Sequence, residues 1–225
     1  MANVVPIPVL TDRFARAFAF ASVVHASQTR KGTTIPFVSH VIAVASLVLE
    51  QSADEDTAIA ALLHDAPATQ GGYAMLAQIR ARFGDRVARI VAACTDSFED
   101  PKPDWVSRKQ QYLANLSNAT DGADLSACVI SVADNLHDAR SILQDLRDTG
   151  VMAFDGSHAT QEQLGWYYGN LAQILHRRLS GEQSLALAVA LLHALDEISA
   201  YTGCEDFGAG VEQGFRHDPC PGAPT

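Results

Sequence analysis

AALLHDA, residues 60–66, is the most informative segment of this sequence. Four consecutive apolar residues lead directly into adjacent His64 and Asp65, and Pro67 follows. This order predicts an apolar helix that reaches His64 and is ended by Pro67. Adjacent helical side chains diverge by about 100°, but near a helix end both can reach one cation. Imidazole nitrogen and carboxylate oxygen together suit Mn²⁺, Fe²⁺, Zn²⁺ or a similar ion.

Helix-length segments fill the chain on both sides of this stretch. Apolar residues recur at helical spacing, and glycines and prolines fall between the segments. The predicted helices run from Thr11 or Asp12 to 27, and over 37–51, 54 or 56 to 64, 73–82, 85–97, 104–117, 123–147, 159–179 and 182–201. No alternating strand of useful length occurs. We therefore predict an all-α fold of about nine helices. Its parts are a leader over 1–10, one domain over 11–202, and a Gly/Pro-rich, loosely ordered tail over 203–225.

Composition excludes several classes of protein. Hydrophobic residues make up 48% of the 225 residues, which is typical of a globular chain. A formal net charge of −10 disfavours binding to nucleic-acid polymers and to anionic membranes, although it does not exclude a small phosphorylated ligand. The four cysteines form no CxxC pair, so neither a thiolate zinc site nor a disulfide framework is indicated. Neither a signal peptide nor a membrane span is predicted, and a cytoplasmic location follows by default.

Two distant residues give the His-Asp pair a context. Taken alone, the pair more often marks a buried histidine beside a helix-terminal aspartate. His40, however, lies at the start of the preceding helix, and Asp134 lies inside the apolar helix CVISVADNLHDAR. A bare carboxylate there would cost several kcal/mol unless it were paired or bound to metal. The order His, His-Asp, Asp on helices is the ligand order of the HD phosphohydrolase superfamily.

Several motifs resemble the hydrolase domain of RelA/SpoT-type alarmone hydrolases. HASQTRKGTTIPFVSHVIAVASLV is similar to that family's H–x–x–Q–x–R–K–x–G–x–P–Y–x–x–H–P segment, and AALLHDA to its A–A–L–L–H–D. IRARFGDRVARIVAACTD and VADNLHDAR resemble two further motifs, and ATQEQLGWYYGNLAQIL resembles a third more weakly. In order, the motifs span about residues 14 to 179. Small stand-alone members of the family remove pyrophosphate from the 3′ position of guanosine tetraphosphate.

The resemblance implies a single HD-type helical domain and a set of site residues. His40, His64, Asp65 and Asp134 would hold one divalent metal ion, with manganese favoured over iron, zinc, nickel, cobalt or magnesium. Nucleotide-binding residues would be Arg30, Lys31, Asp138 and Arg140. Arg30 and Lys31 lie on a predicted loop over 28–36, which is also compatible with a solvated loop. Arg140 could equally pair with Asp138 or Asp145 on its own helix face.

Two departures from the family pattern bear on activity. The family continues its motif as H–D–x–x–E–D, whose acidic pair orients and activates water, whereas this chain has Ala68 and Thr69. Neither side chain can act as a general base. Asp138 replaces an asparagine, so an acceptor replaces an amide that also donates. We name Glu99 and Asp100 as a substitute base, although a solvated acidic loop is the commoner explanation for such a pair.

Two histidines are candidates to support the ligands. His137 lies three residues after Asp134, about 60° away around the helix, and His25 lies in the first helix. Trp166, Tyr167 and Tyr168 could stack on a base, but such a cluster more often packs in a core.

Three functions follow from these observations. The first is metal-dependent hydrolysis of a nucleotide, most directly a 3′-pyrophosphate, with an altered base or reduced activity. The second is a metal-binding regulatory or nucleotide-binding module without efficient hydrolysis. The third is an HD nucleotide 5′-phosphatase. The expected partner is a small phosphorylated nucleotide, and the oligomeric state stays open, with a homodimer as one option.

Overall fold

The computed structural model describes residues 9–51, 54–118, 122–150, 159–182, 184–204 and 207, without the side chains of 123 and 124. Its helices are α1 (Asp12–Val24), α2 (Val38–Leu49), α3 (Glu55–Leu63), α4 (Ala66–Thr69), α5 (Gly72–Phe83), α6 (Asp85–Cys94), α7 (Trp105–Ser117), α8 (Gly122–Thr149), α9 (Gln161–Arg178) and α10 (Leu185–Thr202). The described residues form no strand beyond an isolated bridge between Thr29 and Pro36. The all-α prediction is confirmed, and every predicted helix has a counterpart.

The single-turn helix α4 was not predicted. α3 already ends at Leu63, so Pro67 does not end it. Pro67 instead lies in the first turn of α4, where a missing backbone N–H leaves no hydrogen bond unmade. The sequence prediction treated this proline as a helix breaker, which is correct for a helix interior but wrong for a helix start.

The described residues fall into two compact units, divided between Phe98 and Glu99. The predicted single domain over 11–202 stays a prediction. Most of the leader (residues 1–8) and most of the tail lie outside the described residues, so their predicted character stays a prediction too. Phe207 is described, and it is buried with its ring 6.3 Å from that of Tyr168.

Helix α3 is the centre of the first unit. Every residue from Thr57 to Leu63 is buried, and α3 contacts α1, α2, α5 and α6. A helix that is apolar on all sides must be enclosed by other elements, and alanines at three of its positions let those neighbours approach closely. The residues that follow α3, His64 and Asp65, are therefore held at the end of the most constrained helix of this unit.

The start of α3 is fixed by Asp54. Its carboxylate accepts a hydrogen bond from the backbone N–H of Thr57 at 3.1 Å, as the sequence predicted for a cap at this point. It also accepts from both terminal nitrogens of Arg86 on α6, one of them at 2.8 Å. The Arg86 hydrogen bond, opposed by partial burial and helped by Thr57, lowers the pKa of Asp54 from 3.8 to about 2.

This shift predicts a pH-dependent contribution to stability. A folded-state pKa below the unfolded value stabilises the protein above about pH 4, and this contribution is lost as the pH falls towards about 2. Asp54→Asn keeps a capping side chain but removes the charge, so its destabilising effect should shrink between pH 6 and pH 3. Urea unfolding of the wild-type protein and of Asp54→Asn at both pH values measures this destabilisation. Asp85→Asn, which removes an exposed ion pair with Arg80, is the matched control. An Asp54→Asn effect that is equal at both pH values contradicts this account.

Gly72, the first residue of α5, packs closely against Phe98, the last residue of the first unit. It has φ +54°, and a Cβ placed there would lie 2.5 Å from the carbonyl oxygen of Phe98. The ring of Phe98 stacks on that of Tyr73, with centroids 4.5 Å apart. The glycine therefore allows the backbone after α6 to lie directly on the start of α5.

Gly72→Ala should destabilise the protein by more than Gly84→Ala. Both positions have positive φ, which costs about 1–3 kcal/mol for a residue with a side chain, but a Cβ at Gly84 would meet nothing within 4 Å. The difference between the two variants isolates the clash with the Phe98 carbonyl. Denaturant unfolding of both variants measures this difference. Equal losses of stability would contradict the prediction, because they would show that the backbone at Phe98 moves aside to avoid the clash.

The second unit is built on α8, a helix of 28 residues. α8 contacts α9 and α10, and α7 contacts α9. Tyr167 and Tyr168 on α9 are buried, so these two members of the predicted aromatic cluster belong to the core. Thr160 and Gln163 form a capping box that starts α9.

Among the described helices, α10 is long and apolar enough to cross a membrane, judged by length and composition. One such helix is weak evidence, because the core helix of a soluble protein meets the same criteria. Leu191, Leu195 and Ile198 on α10 are fully buried, and the helix packs on α8 and α9.

Candidate metal centre

His64 and Asp65 occupy the turn between α3 and α4. His64 is the residue after the last of α3, and Asp65 is the residue before the first of α4. Because the chain changes direction here, the two side chains converge, with His64 Nε2 3.7 Å from Asp65 Oδ2. His64 Nδ1 lies 2.8 Å from the carbonyl oxygen of Ala61, which can only accept. Nδ1 therefore carries the proton, and the lone pair of Nε2 faces Asp65.

His40 joins this pair from the first turn of α2. Its Nε2 lies 4.0 Å from Asp65 Oδ2, and its ring centroid lies 5.6 Å from that of His64. One ligand atom from each of His40, His64 and Asp65 lies within 4.8 Å of the others. We call these three residues the His-His-Asp cluster. It brings His40 of α2 together with the turn after α3, where His64 lies 24 positions later in the chain.

The His-His-Asp cluster fits a divalent cation. Two neutral imidazoles and one carboxylate are a donor set that several transition metals accept. With bonds of about 2.1 Å, atoms that share one cation lie roughly 3–4 Å apart, which is close to the separations of these side chains. Both histidine side chains are 3% exposed and that of Asp65 is 33% exposed. The two histidines are therefore enclosed by the protein, whereas the carboxylate of Asp65 is accessible to solvent.

Arg30 lies directly beside the cluster. It follows Thr29, whose bridge to Pro36 closes the predicted loop, and its own N–H donates to the carbonyl of Ile35 at 2.8 Å. The Arg30 guanidinium donates to Nδ1 of His40 at 3.2 Å, which places the proton of the neutral ring on Nε2. A cation bound at Nε2 would therefore move this proton to Nδ1 and release Arg30 from the ring. Lys31 is exposed on the same loop. The loop is therefore held at both ends. It places the positively charged side chain of Arg30 at the cluster and that of Lys31 in solvent.

His25 is a further buried residue near the cluster. The sequence analysis named it only as a candidate to support the ligands. It is 1% exposed, and its ring lies 5.0 Å from that of Phe37, which in turn lies 5.3 Å from that of His40. Burial lowers the pKa of His25, against the hydrogen bond that its Nδ1 donates to Gln28 and the charge of Asp65, both of which raise it. The signal available in the sequence was the H–x–x–Q spacing of His25 and Gln28.

The positions of the missing acidic pair lie on α4. Ala68 is half-buried and offers no acceptor. Thr69 is exposed, and its hydroxyl donates to the carbonyl of Asp65 at 2.9 Å. Neither of these two positions therefore carries a carboxylate that could orient water.

The other predicted site residues belong to the second unit. Asp134, His137 and Asp138 are half-buried on α8, and Arg140 is exposed on the same helix. Glu99 and Asp100 are exposed at the start of this unit. Their predicted roles stay predictions.

The helical architecture and the His-Asp pair after α3 are those of an HD domain. Residues 17–156 match the family model described as HD domain. This match covers more than half of the chain, and the chain belongs to the HD domain family.

Relatives and solved structures agree with this family. The guanosine-3′,5′-bis(diphosphate) 3′-pyrophosphohydrolase MESH1 of Mus musculus is 31% identical over 152 residues, which are 65% of this chain and 76% of that protein. The enzyme of the same activity from Aquifex aeolicus is 30% identical over 135 residues, 60% of this chain. This chain spans only 18% of that longer relative. The predicted relation to RelA/SpoT-type hydrolases is confirmed.

A solved structure shares the fold. A metazoan orthologue of SpoT that hydrolyses ppGpp superposes with a TM-score of 0.64 at 23% identity, covering 84% of this chain and 97% of that one. A protein of Listeria monocytogenes gives a TM-score of 0.55 at 23% identity, covering 68% of this chain and 95% of that one.

Proposed function

We propose that this chain is a metal-dependent pyrophosphohydrolase that removes the 3′-pyrophosphate of a guanosine tetraphosphate-like nucleotide. The observation that carries the proposal is the His-His-Asp cluster, in a chain that is 31% identical over 152 residues to a protein named as a 3′-pyrophosphohydrolase. Asp134 would complete the ligand set, as the family's ligand order implies. Manganese is the favoured ion, and the protein would act in the cytoplasm on a small nucleotide.

The residues around the cluster suit a pyrophosphate substrate. Bound at the cluster, a divalent cation would neutralise phosphate charge and activate water. Arg30, held 3.2 Å from His40, would place a guanidinium beside the same phosphate, where charge-assisted hydrogen bonds are strong. Lys31 and Arg140 would add charge at the nucleotide's edge, and Asp138 would accept from the nucleoside. Glu99 and Asp100 remain the proposed substitute base.

The replacement of the acidic pair favours a second candidate function. Ala68 offers no acceptor, and the hydroxyl of Thr69 is hydrogen-bonded to the backbone. A chain that retains the cluster but has lost the family's water-activating pair could act as a metal-binding regulatory or nucleotide-binding module.

Product analysis over a panel of nucleotides separates these functions. The manganese-loaded protein would be incubated with guanosine tetraphosphate, its adenosine counterpart, and ordinary nucleoside mono- and triphosphates. We expect pyrophosphate from a 3′-substituted nucleotide. Metal binding without turnover indicates the binding module, and orthophosphate from a 5′-phosphate indicates a nucleotide 5′-phosphatase. Either result contradicts the proposed function.

A further inference from the structure

His25 carries a buried hydrogen-bonding atom that no described residue satisfies. Its Nδ1 lies 2.9 Å from Oε1 of Gln28, and Nε2 of Gln70 donates to the same oxygen at 3.1 Å. An amide oxygen only accepts, so Nδ1 carries the proton and Nε2 carries the lone pair. Among the described residues, none donates to this Nε2. Gln28 and Gln70 therefore fix the tautomer of His25 in which Nε2 is a buried acceptor.

The position of His25 connects this acceptor with the His-His-Asp cluster. Phe37 contacts both histidines, with ring centroids 5.0 Å from His25 and 5.3 Å from His40, and the charges of Asp65, His64 and His40 act on the pKa of His25. His25 is not a member of the group whose ligand atoms lie within 4.8 Å of one another. It therefore lies next to the cluster without belonging to the ligand set. A buried acceptor in a polar site of this kind is ordinarily satisfied by a water molecule.

We propose that His25 is a positioning residue for hydrolysis, whose Nε2 accepts a hydrogen bond from the attacking water. This inference rests on the proposed function. The water oxygen forms a bond to the phosphorus that is attached to the ribose 3′ oxygen. The bond between this phosphorus and the ribose 3′ oxygen breaks. One hydrogen of the water ends on the ribose 3′ oxygen, and the other leaves with pyrophosphate. His25 orients the water and stays neutral throughout.

This role explains how water could be oriented without the family's acidic pair. Ala68 has no acceptor, and Thr69 is exposed with its hydroxyl donated to the Asp65 carbonyl. His25, by contrast, is 1% exposed and held by a hydrogen bond on its other nitrogen. An acceptor fixed in one direction orients water more effectively than a mobile surface carboxylate, because little ordering remains to be done.

Two substitutions at this position separate positioning from packing. His25→Phe keeps a ring against Phe37 but has no acceptor, whereas His25→Gln places an amide oxygen near the position of Nε2. We expect kcat of His25→Phe to fall by about 10²-fold, the lower end of what water-activating groups contribute, and to recover largely in His25→Gln. KM, the melting temperature and the Mn²⁺ dissociation constant should change little in both. Unchanged kcat in His25→Phe, or equal losses in both variants, overturns the inference.

The tautomer gives a readout that does not depend on turnover. Long-range ¹H–¹⁵N NMR of the zinc-loaded protein, with the His25 signal assigned by its loss in His25→Gln, should show a protonated Nδ1 and an unprotonated Nε2. The opposite tautomer, or a doubly protonated ring, overturns the inference even if the enzyme is active. If the tautomer is as expected but no nucleotide is hydrolysed, the proposed function fails, and the hydrolytic role of His25 fails with it.

Discussion

His64→Ala is expected to abolish metal binding, and Asp65→Ala and Asp134→Ala should do the same. The wild-type protein should retain about one equivalent of a divalent transition metal, because His40, His64 and Asp65 converge on one point. Even partners outside a ligand set contribute about 10–100-fold to metal affinity, so loss of a ligand should weaken binding by more than about 100-fold. Metal analysis after dialysis, together with Mn²⁺ titration, measures this.

The matched control is His193→Ala, which removes an exposed histidine on α10. It should leave both metal content and turnover unchanged. Circular dichroism must show that each variant keeps its helical content, because His64 is buried and its ring donates to Ala61. Wild-type levels of metal in all three ligand variants would show that the cluster is not the metal centre.

Restoring the acidic pair should produce the largest gain in activity. The double change Ala68→Glu with Thr69→Asp should raise turnover of guanosine tetraphosphate, because general-base assistance is typically worth about 10²–10⁴-fold. Both positions lie on α4, directly after the His-Asp pair, so the new carboxylates would start within one helical turn of Asp65. Steady-state rates of pyrophosphate release from the two proteins, at equal metal occupancy, measure the effect.

One result of the double change would contradict the account of the missing acidic pair. Thr69→Val on its own removes the hydroxyl that donates to Asp65, and it serves as a control for disturbance of α4. If the unmodified protein already hydrolyses another nucleotide efficiently and the double change lowers that rate, water activation depends on other groups. Glu99 and Asp100 would then be the next positions to substitute, alongside the His25 variants.

The fold was predictable because its signals are local. Apolar spacing, the capping side chain of Asp54 and the glycines between segments each act within a few residues, and all agree with the observed helices. Pro67 misled the prediction because a proline is tolerated in the first turn of a helix, and the sequence does not show where a new helix begins.

The cluster was predictable in part. Adjacent His64 and Asp65 after an apolar run, with His40 upstream, identified three residues that the structure brings within 4.8 Å of one another. The contact between Arg30 and His40 places the loop beside the cluster, although chain spacing alone gives no distance, and the nucleotide-binding role of the loop stays a prediction. The hydrogen-bond network of His25, Gln28 and Gln70 was only partly predictable, because Gln70 lies 45 positions after His25 and is brought to it by side-chain packing. The sequence indicated His25 only as a candidate to support the ligands, through its H–x–x–Q spacing to Gln28.

The most direct test of the central claim uses guanosine tetraphosphate labelled in the 3′-pyrophosphate. The wild-type protein would be assayed with Mn²⁺, after removal of metal by a chelator, and after Mn²⁺ is added back. We predict labelled pyrophosphate and guanosine diphosphate as products, loss of activity with the chelator and recovery with Mn²⁺. Release of label as orthophosphate, turnover that persists in the chelated protein, or no turnover at any manganese concentration would contradict the account.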